Sequence, residues 1–156
     1  MTESPWTGSQ LRQQRLEFIL KLLHGRTLIL LIDETGDRQK GKRTDYVKRQ
    51  HISNLGKREN GIVAVTAYGL VDGMILLLTF EVYKPKEPLK AGDEYQSKPQ
   101  IAATMMRQLQ AMGFRFELVL ADSLSGESKL NFVNILDELE LPYILAIRSN
   151  HALWLP

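Results

Sequence analysis

The sequence predicts a mixed α/β fold, and three observations carry that prediction. Two apolar runs, residues 28–32 and 116–121, read as strands, and each is followed at once by an aspartate. Two further strand-like runs, 62–71 and 74–83, meet at Asp72-Gly73, a dipeptide that favours a tight two-residue hairpin. Helical periodicity then separates the later strands. A sheet that begins with antiparallel strands and continues through helical crossovers is mixed.

Taken in order, Leu16, Ile19, Leu20 and Leu23 form the apolar stripe of an amphipathic helix, with Gly25 placed to end it. The run 28–32 is continuously apolar, a pattern expected of a strand buried on both faces. Residues 34–60 are polar and basic and resist assignment, although 46–52 fits an edge strand. After the hairpin, Pro85, Pro88 and Gly92 mark 84–96 as a loop. Ser97 and Gln100 make a capping box with Pro99 in the first turn. Ile101, Met105, Leu109 and Met112 supply that helix's apolar face, and Gly113 ends it. A second crossover helix is marked by Phe132, Ile135, Leu136 and Leu139; Pro142 breaks it, and 143–147 is a final strand.

Composition narrows the function classes. A chain of 156 residues is long enough for one domain with a sizeable core. There is no cysteine, which excludes disulfides, a thiolate nucleophile and thiolate-bound metal and fits a reducing compartment. The longest apolar runs, 28–32 and 74–78, fall far short of the roughly 20 residues of a membrane-spanning helix, and the polar start lacks a signal pattern. The expected location is cytoplasmic. Net charge is only +2, yet residues 38–58 hold eight Lys or Arg and one acid, Asp45. Such a stretch suits phosphate contact, with Lys40, Lys42, Arg43, Lys48 and Arg49 as candidate phosphate-binding residues; it also suits a plain solvated loop.

The chemistry centres on Asp33 and Asp122. Ligand sites in α/β sheets gather at the carboxyl ends of strands. If the two strands are neighbours, both carboxylates emerge at one edge. Paired hard oxygen ligands suit Mg²⁺ or Mn²⁺, and such ions activate a nucleophile and stabilise a leaving oxygen in phosphodiester chemistry. Aspartate also ends strands simply as a turn residue. Other patterns fail on inspection. Residues 36–43 approach a phosphate-binding loop, but Arg43 stands where a hydroxyl must reach the metal. Ser125 and Ser128 lack a nucleophile elbow. His24, His51 and His151 show no ligand spacing, and Trp154 reads as an apolar contact.

The ordered motifs match a known pattern. Residues 31–42, Val47-Lys-Arg-Gln50 and Gly56-Lys-Arg-Glu-Asn60 resemble the first catalytic block of DDE-type insertion-sequence transposases. Lys98-Pro99 opening a helix, residues 118–126 and Tyr143-Ile-Leu-Ala-Ile-Arg-Ser-Asn150 resemble the second. The likeness runs from about Leu28 onward. It implies a ribonuclease-H-like fold, a mixed sheet with flanking helices incomplete at its C-terminal end, with a helical segment at 1–26 and a partial catalytic domain at 27–156. It further implies Asp33 and Asp122 as catalytic and metal-binding aspartates, Mg²⁺ or Mn²⁺ as cofactor, and DNA, both transposon ends and target, as substrate. The pattern also has a third acid, usually Glu, on a later helix. Glu127 and Glu138 follow Asp122 too closely for that role, and Ser125 stands where an aromatic residue is common. The expectation is therefore that this chain does not complete the site alone. The rival expectation is a non-catalytic transposase remnant that binds DNA, a second copy of itself or full-length transposase.

Overall fold

A computed structural model describes residues 6–41, 44–52, 55–87, 89–122, 128 and 132–147. Lys42, Arg43, Ser125, Glu127, His151 and Trp154 lie outside them, as does the motif at 148–150. The elements in chain order are α1 (Gly8–Leu23), β1 (Leu28–Arg38), β2 (Lys48–Ile52), β3 (Lys57–Val71), β4 (Met74–Val82), α2 (Lys98–Ala111), β5 (Phe116–Ala121), α3 (Asn134–Glu138) and β6 (Tyr143–Leu145). Both long helices open on capping boxes, Thr7 with Gln10 and Ser97 with Gln100, which satisfy amide donors left over in a first turn. His24 adopts the left-handed conformation at the end of α1, and Gly25 follows at φ 76°, so the turn takes two residues.

The six strands form one mixed sheet in the order β2-β3-β1-β5-β6, with β4 also on β3. β3 is antiparallel to β1, β2 and β4, whereas β5 is parallel to β1 and β6 is parallel to β5. The β3–β4 hairpin turns at Asp72 and Gly73, both at positive φ, as the dipeptide predicted. Arg26 pairs with Asp72 beside it. This is the mixed sheet with flanking helices expected from the sequence, consistent with a ribonuclease-H-like fold.

The three helices among the described residues share a single core with one face of the sheet. Leu16, Ile19 and Leu23 of α1, Ile101, Met106 and Leu109 of α2, and Ile135 and Leu136 of α3 pack with Leu28, Leu30, Ile32, Val65, Ala67 and Val119. Topology explains the one-sidedness. The crossovers β4-α2-β5 and β5-α3-β6 step across the sheet in the same direction, and right-handed crossovers in one direction lay their helices on one face.

That arrangement corrects one expectation. The apolar run at the start of β1 is covered on one face only, and Leu31 remains 36% exposed. A continuous apolar run registers the hydropathy of both faces but not whether anything lies on each. β1 also runs on to Arg38, beyond the apolar run, because β3 pairs with it as far as Gly61. Together with β2 and the start of β3, this second half forms a three-stranded arm. Ile52 is fully buried on the arm's helix side, over Gly36 and Gly61.

Candidate active site

The site follows from strand register. Ile32 of β1 pairs with Ala121 of β5, and both are buried in the core. Leu31 and Leu120, one residue earlier, are paired and lie on the opposite face. Side chains alternate along strands, so Asp33, the next residue of β1, lies with Leu31 on the face opposite the described helices, and Asp122 is the first residue past the end of β5. Asp33 and Asp122 each follow directly on the last pair of the β1–β5 ladder, Ile32–Ala121, and neighbouring strands lie about 4.8 Å apart. Asp33 is exposed and Asp122 half-buried.

The backbone under this pair is held from both faces. On the aspartate face, the buried hydroxyl of Thr66 donates to the Asp33 carbonyl at 3.0 Å. Thr66 is the residue of β3 directly opposite Asp33. A single threonine inside the apolar run 62–71 is the one sequence signal that marks it. On the helix face, Glu34 accepts Lys98 Nζ at 2.6 Å, with side-chain exposures of 7% and 18%. This ion pair joins the residue after Asp33 to the first turn of α2. Lys98 also lies 5.3 Å over the Tyr83 ring. Burial pushes the Tyr83 hydroxyl up to about 12, with help from its hydrogen bond to Tyr95 and from the Glu34 charge.

The loop before α2 is pinned by Asp93. Its carboxylate accepts Lys84 Nζ at 2.6 Å, the Lys90 amide at 2.9 Å and the Tyr46 hydroxyl at 3.0 Å. The Lys84 ammonium, then the Lys90 amide and the Tyr46 hydroxyl, hold the Asp93 carboxyl down at about 2. The same contact raises the Tyr46 hydroxyl.

Among the described residues, no group of three Asp, Glu, His or Cys side chains is arranged to hold a metal ion. His24 caps α1, and His51 lies exposed on β2. Of the basic candidates, Lys40 and Arg49 are exposed, while Lys48 reaches Glu87 at 2.6 Å. A cleft lined by Arg12, Glu81, Lys84, Ile101 and Gln108 lies on the helix side of the sheet, away from the aspartates. Among the described residues no helix is long and apolar enough to cross a membrane.

The family profile described as DDE superfamily endonuclease matches residues 1–156. A protein of Microchaete diplosiphon named "Probable transposase for insertion sequence element IS701" is 64% identical over 151 residues, covering 97% of this chain and 40% of that protein. The chain thus spans less than half the length of that relative. A match along the whole chain places this protein in the DDE superfamily endonuclease family.

Proposed function

We propose that this chain supplies two carboxylates, Asp33 and Asp122, to a divalent-metal site for DNA strand cleavage and transfer. The observation that supports this reading is the parallel β1–β5 register, in which Asp33 and Asp122 each follow directly on the last pair, Ile32–Ala121. The donor set fits the ion: two hard carboxylates, one exposed and one half-buried, suit Mg²⁺ or Mn²⁺, which keep several waters. Such an ion polarises a phosphoryl oxygen and lowers the pKa of bound water. The protein's own part is placement. Thr66 and the Glu34–Lys98 pair hold the backbone on either side of Asp33, so its carboxylate meets the cation with little rearrangement.

A two-metal site calls for at least one further acid. We assign it to a residue that this chain does not supply. The partner is DNA, and the basic stretch containing Lys40, Lys42, Arg43, Lys48 and Arg49 supplies contacts to its backbone.

Mn²⁺ titration followed by electron paramagnetic resonance tests the site. The chain is expected to bind Mn²⁺, and Asp33→Asn and Asp122→Asn are each expected to weaken binding at least tenfold with the fold intact. Binding unchanged in both variants overturns the assignment. Nicking of supercoiled plasmid is the companion assay, with no cleavage above background expected from this chain alone. Cleavage abolished by both substitutions would show that the chain already holds a complete ligand set.

A further inference from the structure

The arm built by the second half of β1, β2 and the start of β3 has two faces of different electrostatic character. Antiparallel partners share a face, so the pairs Arg49–Asn60 and His51–Arg58 lie together, as do Lys48–Gly61, Gln50–Glu59 and Ile52–Lys57. Following β3 by twos from Thr66 through Ala64 and Ile62 to Asn60 and Arg58 shows which face is which. Arg49, His51 and Arg58 lie on the aspartate side, and Lys48, Lys57 and Glu59 on the helix side.

On the helix side the cations are neutralised. Lys48 pairs with Glu87 at 2.6 Å, Lys57 with Glu59 at 3.2 Å, and Arg38 with Glu59 at 3.8 Å. On the aspartate side Arg49 and Arg58 are exposed, and among the described residues neither forms an ion pair. The two arginines are diagonal neighbours on the ladder, about 7–8 Å apart. Like charges this close on a sheet repel, and a polyanion relieves the repulsion. Arg58 lies eight residues along β3 from Thr66, the partner of Asp33, a span of roughly 26 Å. At one phosphate per 3.4 Å of each strand, a duplex lying along the arm would run about eight base pairs from the aspartates to Arg58.

We infer that the aspartate-side face of this arm is a track for the DNA backbone, with Arg49 and Arg58 as its phosphate contacts and Lys48 excluded from it. The inference rests on the proposed DNA-handling function and sorts the basic stretch by sheet face. Arg58 joins the contact set because of its register, and Lys48 leaves it because it points the other way and is already paired.

The test is a salt titration of binding to a random-sequence duplex. The variants are Arg49→Gln/Arg58→Gln, its counterpart Arg49→Lys/Arg58→Lys, and Lys48→Gln/Glu87→Gln, which removes a cation together with its partner. Each phosphate contact contributes about 0.9 to the slope of log affinity against log salt. The glutamine pair is expected to lower the slope by about 1.8, the lysine pair to restore it, and the Lys48–Glu87 variant to leave it unchanged. Wild-type binding with an unaltered slope in the arginine variant, or an equal loss in the Lys48–Glu87 variant, overturns the inference and leaves the DNA reading intact. No duplex binding by the wild-type chain overturns both. A glutamine variant that misfolds by circular dichroism is replaced by Arg49→Gln and Arg58→Gln singly, each expected to lower the slope by about 0.9.

Discussion

At the scale of single residues, the surroundings of Asp33 matter more than its own exposed position suggests. Glu34 and Lys98 form an ion pair that is mostly removed from water, and such a pair is costly to break from one side. Lys98→Met leaves a buried carboxylate without its cation and is expected to cost about 3–5 kcal/mol in urea unfolding. The double variant Glu34→Gln/Lys98→Met is expected to recover most of that loss, since no charge is left stranded. Equal losses in the single and double variants would show that the pair acts only by packing. Asp93 makes a pH prediction. Its carboxyl titrates at about 2 in the fold, below its ordinary 3.8, so the folded state favours the ionised form. The stabilisation is present above about pH 4 and is lost as pH falls towards 2. Asp93→Asn is therefore expected to flatten the stability-versus-pH curve between those values, measured by urea midpoints at a series of pH.

At the scale of elements, β1 combines two strands of different kinds. Its first half is apolar and lies between β3 and β5; its second half is polar and is held by β3 in the arm. The transition falls at Asp33, so the aspartate stands where strand β5 stops and leaves one edge of β1 open. The apolar half and the terminal aspartate are legible in the sequence because hydropathy registers burial. The polar half is not, because its strand character comes from hydrogen bonds to β3, and Thr35, Asp37 and Arg38 carry no trace of them. Gly36 belongs to this half. It resembled the start of a phosphate-binding loop in sequence, but its missing side chain makes room for Ile52: a Cβ there would stand 2.6 Å from Ile52 Cγ2. Gly36→Ala is expected to destabilise the fold by about 1–3 kcal/mol through overpacking. Gly36→Ala combined with Ile52→Ala, which removes the crowding Cγ2 methyl, is expected to be less destabilising than the sum of its parts. A neutral Gly36→Ala would mean that Ile52 moves aside freely.

At the scale of the whole molecule, the helices among the described residues are all on one side. The opposite face presents Leu31, Ile75, Leu77, Phe80 and Ile144 to solvent, with Ile75 67% and Ile144 63% exposed. Contiguous apolar surface of this kind is uncommon on a folded domain. The chain is expected to bind an apolar fluorescent dye in its native state. Ile75→Lys/Ile144→Lys is expected to lower that fluorescence with little change in melting temperature, because neither side chain contributes to the core. Dye binding that persists in the double variant would locate the accessible apolar surface elsewhere, for instance on the outer stripe of α1, where Leu11, Phe18 and Leu22 are exposed.

Hydropathy and turn chemistry alone were sufficient for the order of the main elements, the Asp72-Gly73 hairpin, the capping box at Ser97 and the two aspartates that follow apolar strands. Each of those signals is local, carried by residues a few positions apart. Register and facing are not local. Nothing within 28–33 specifies that Ile32 meets Ala121, that Thr66 lies opposite Asp33, or that Glu34 finds Lys98 on a helix more than sixty residues away. The basic stretch shows the difference most directly. In the chain Lys48 and Arg49 are adjacent and chemically alike; in the sheet the two-residue alternation of the strand sends one to Glu87 on the helix side and the other to the side of the aspartates.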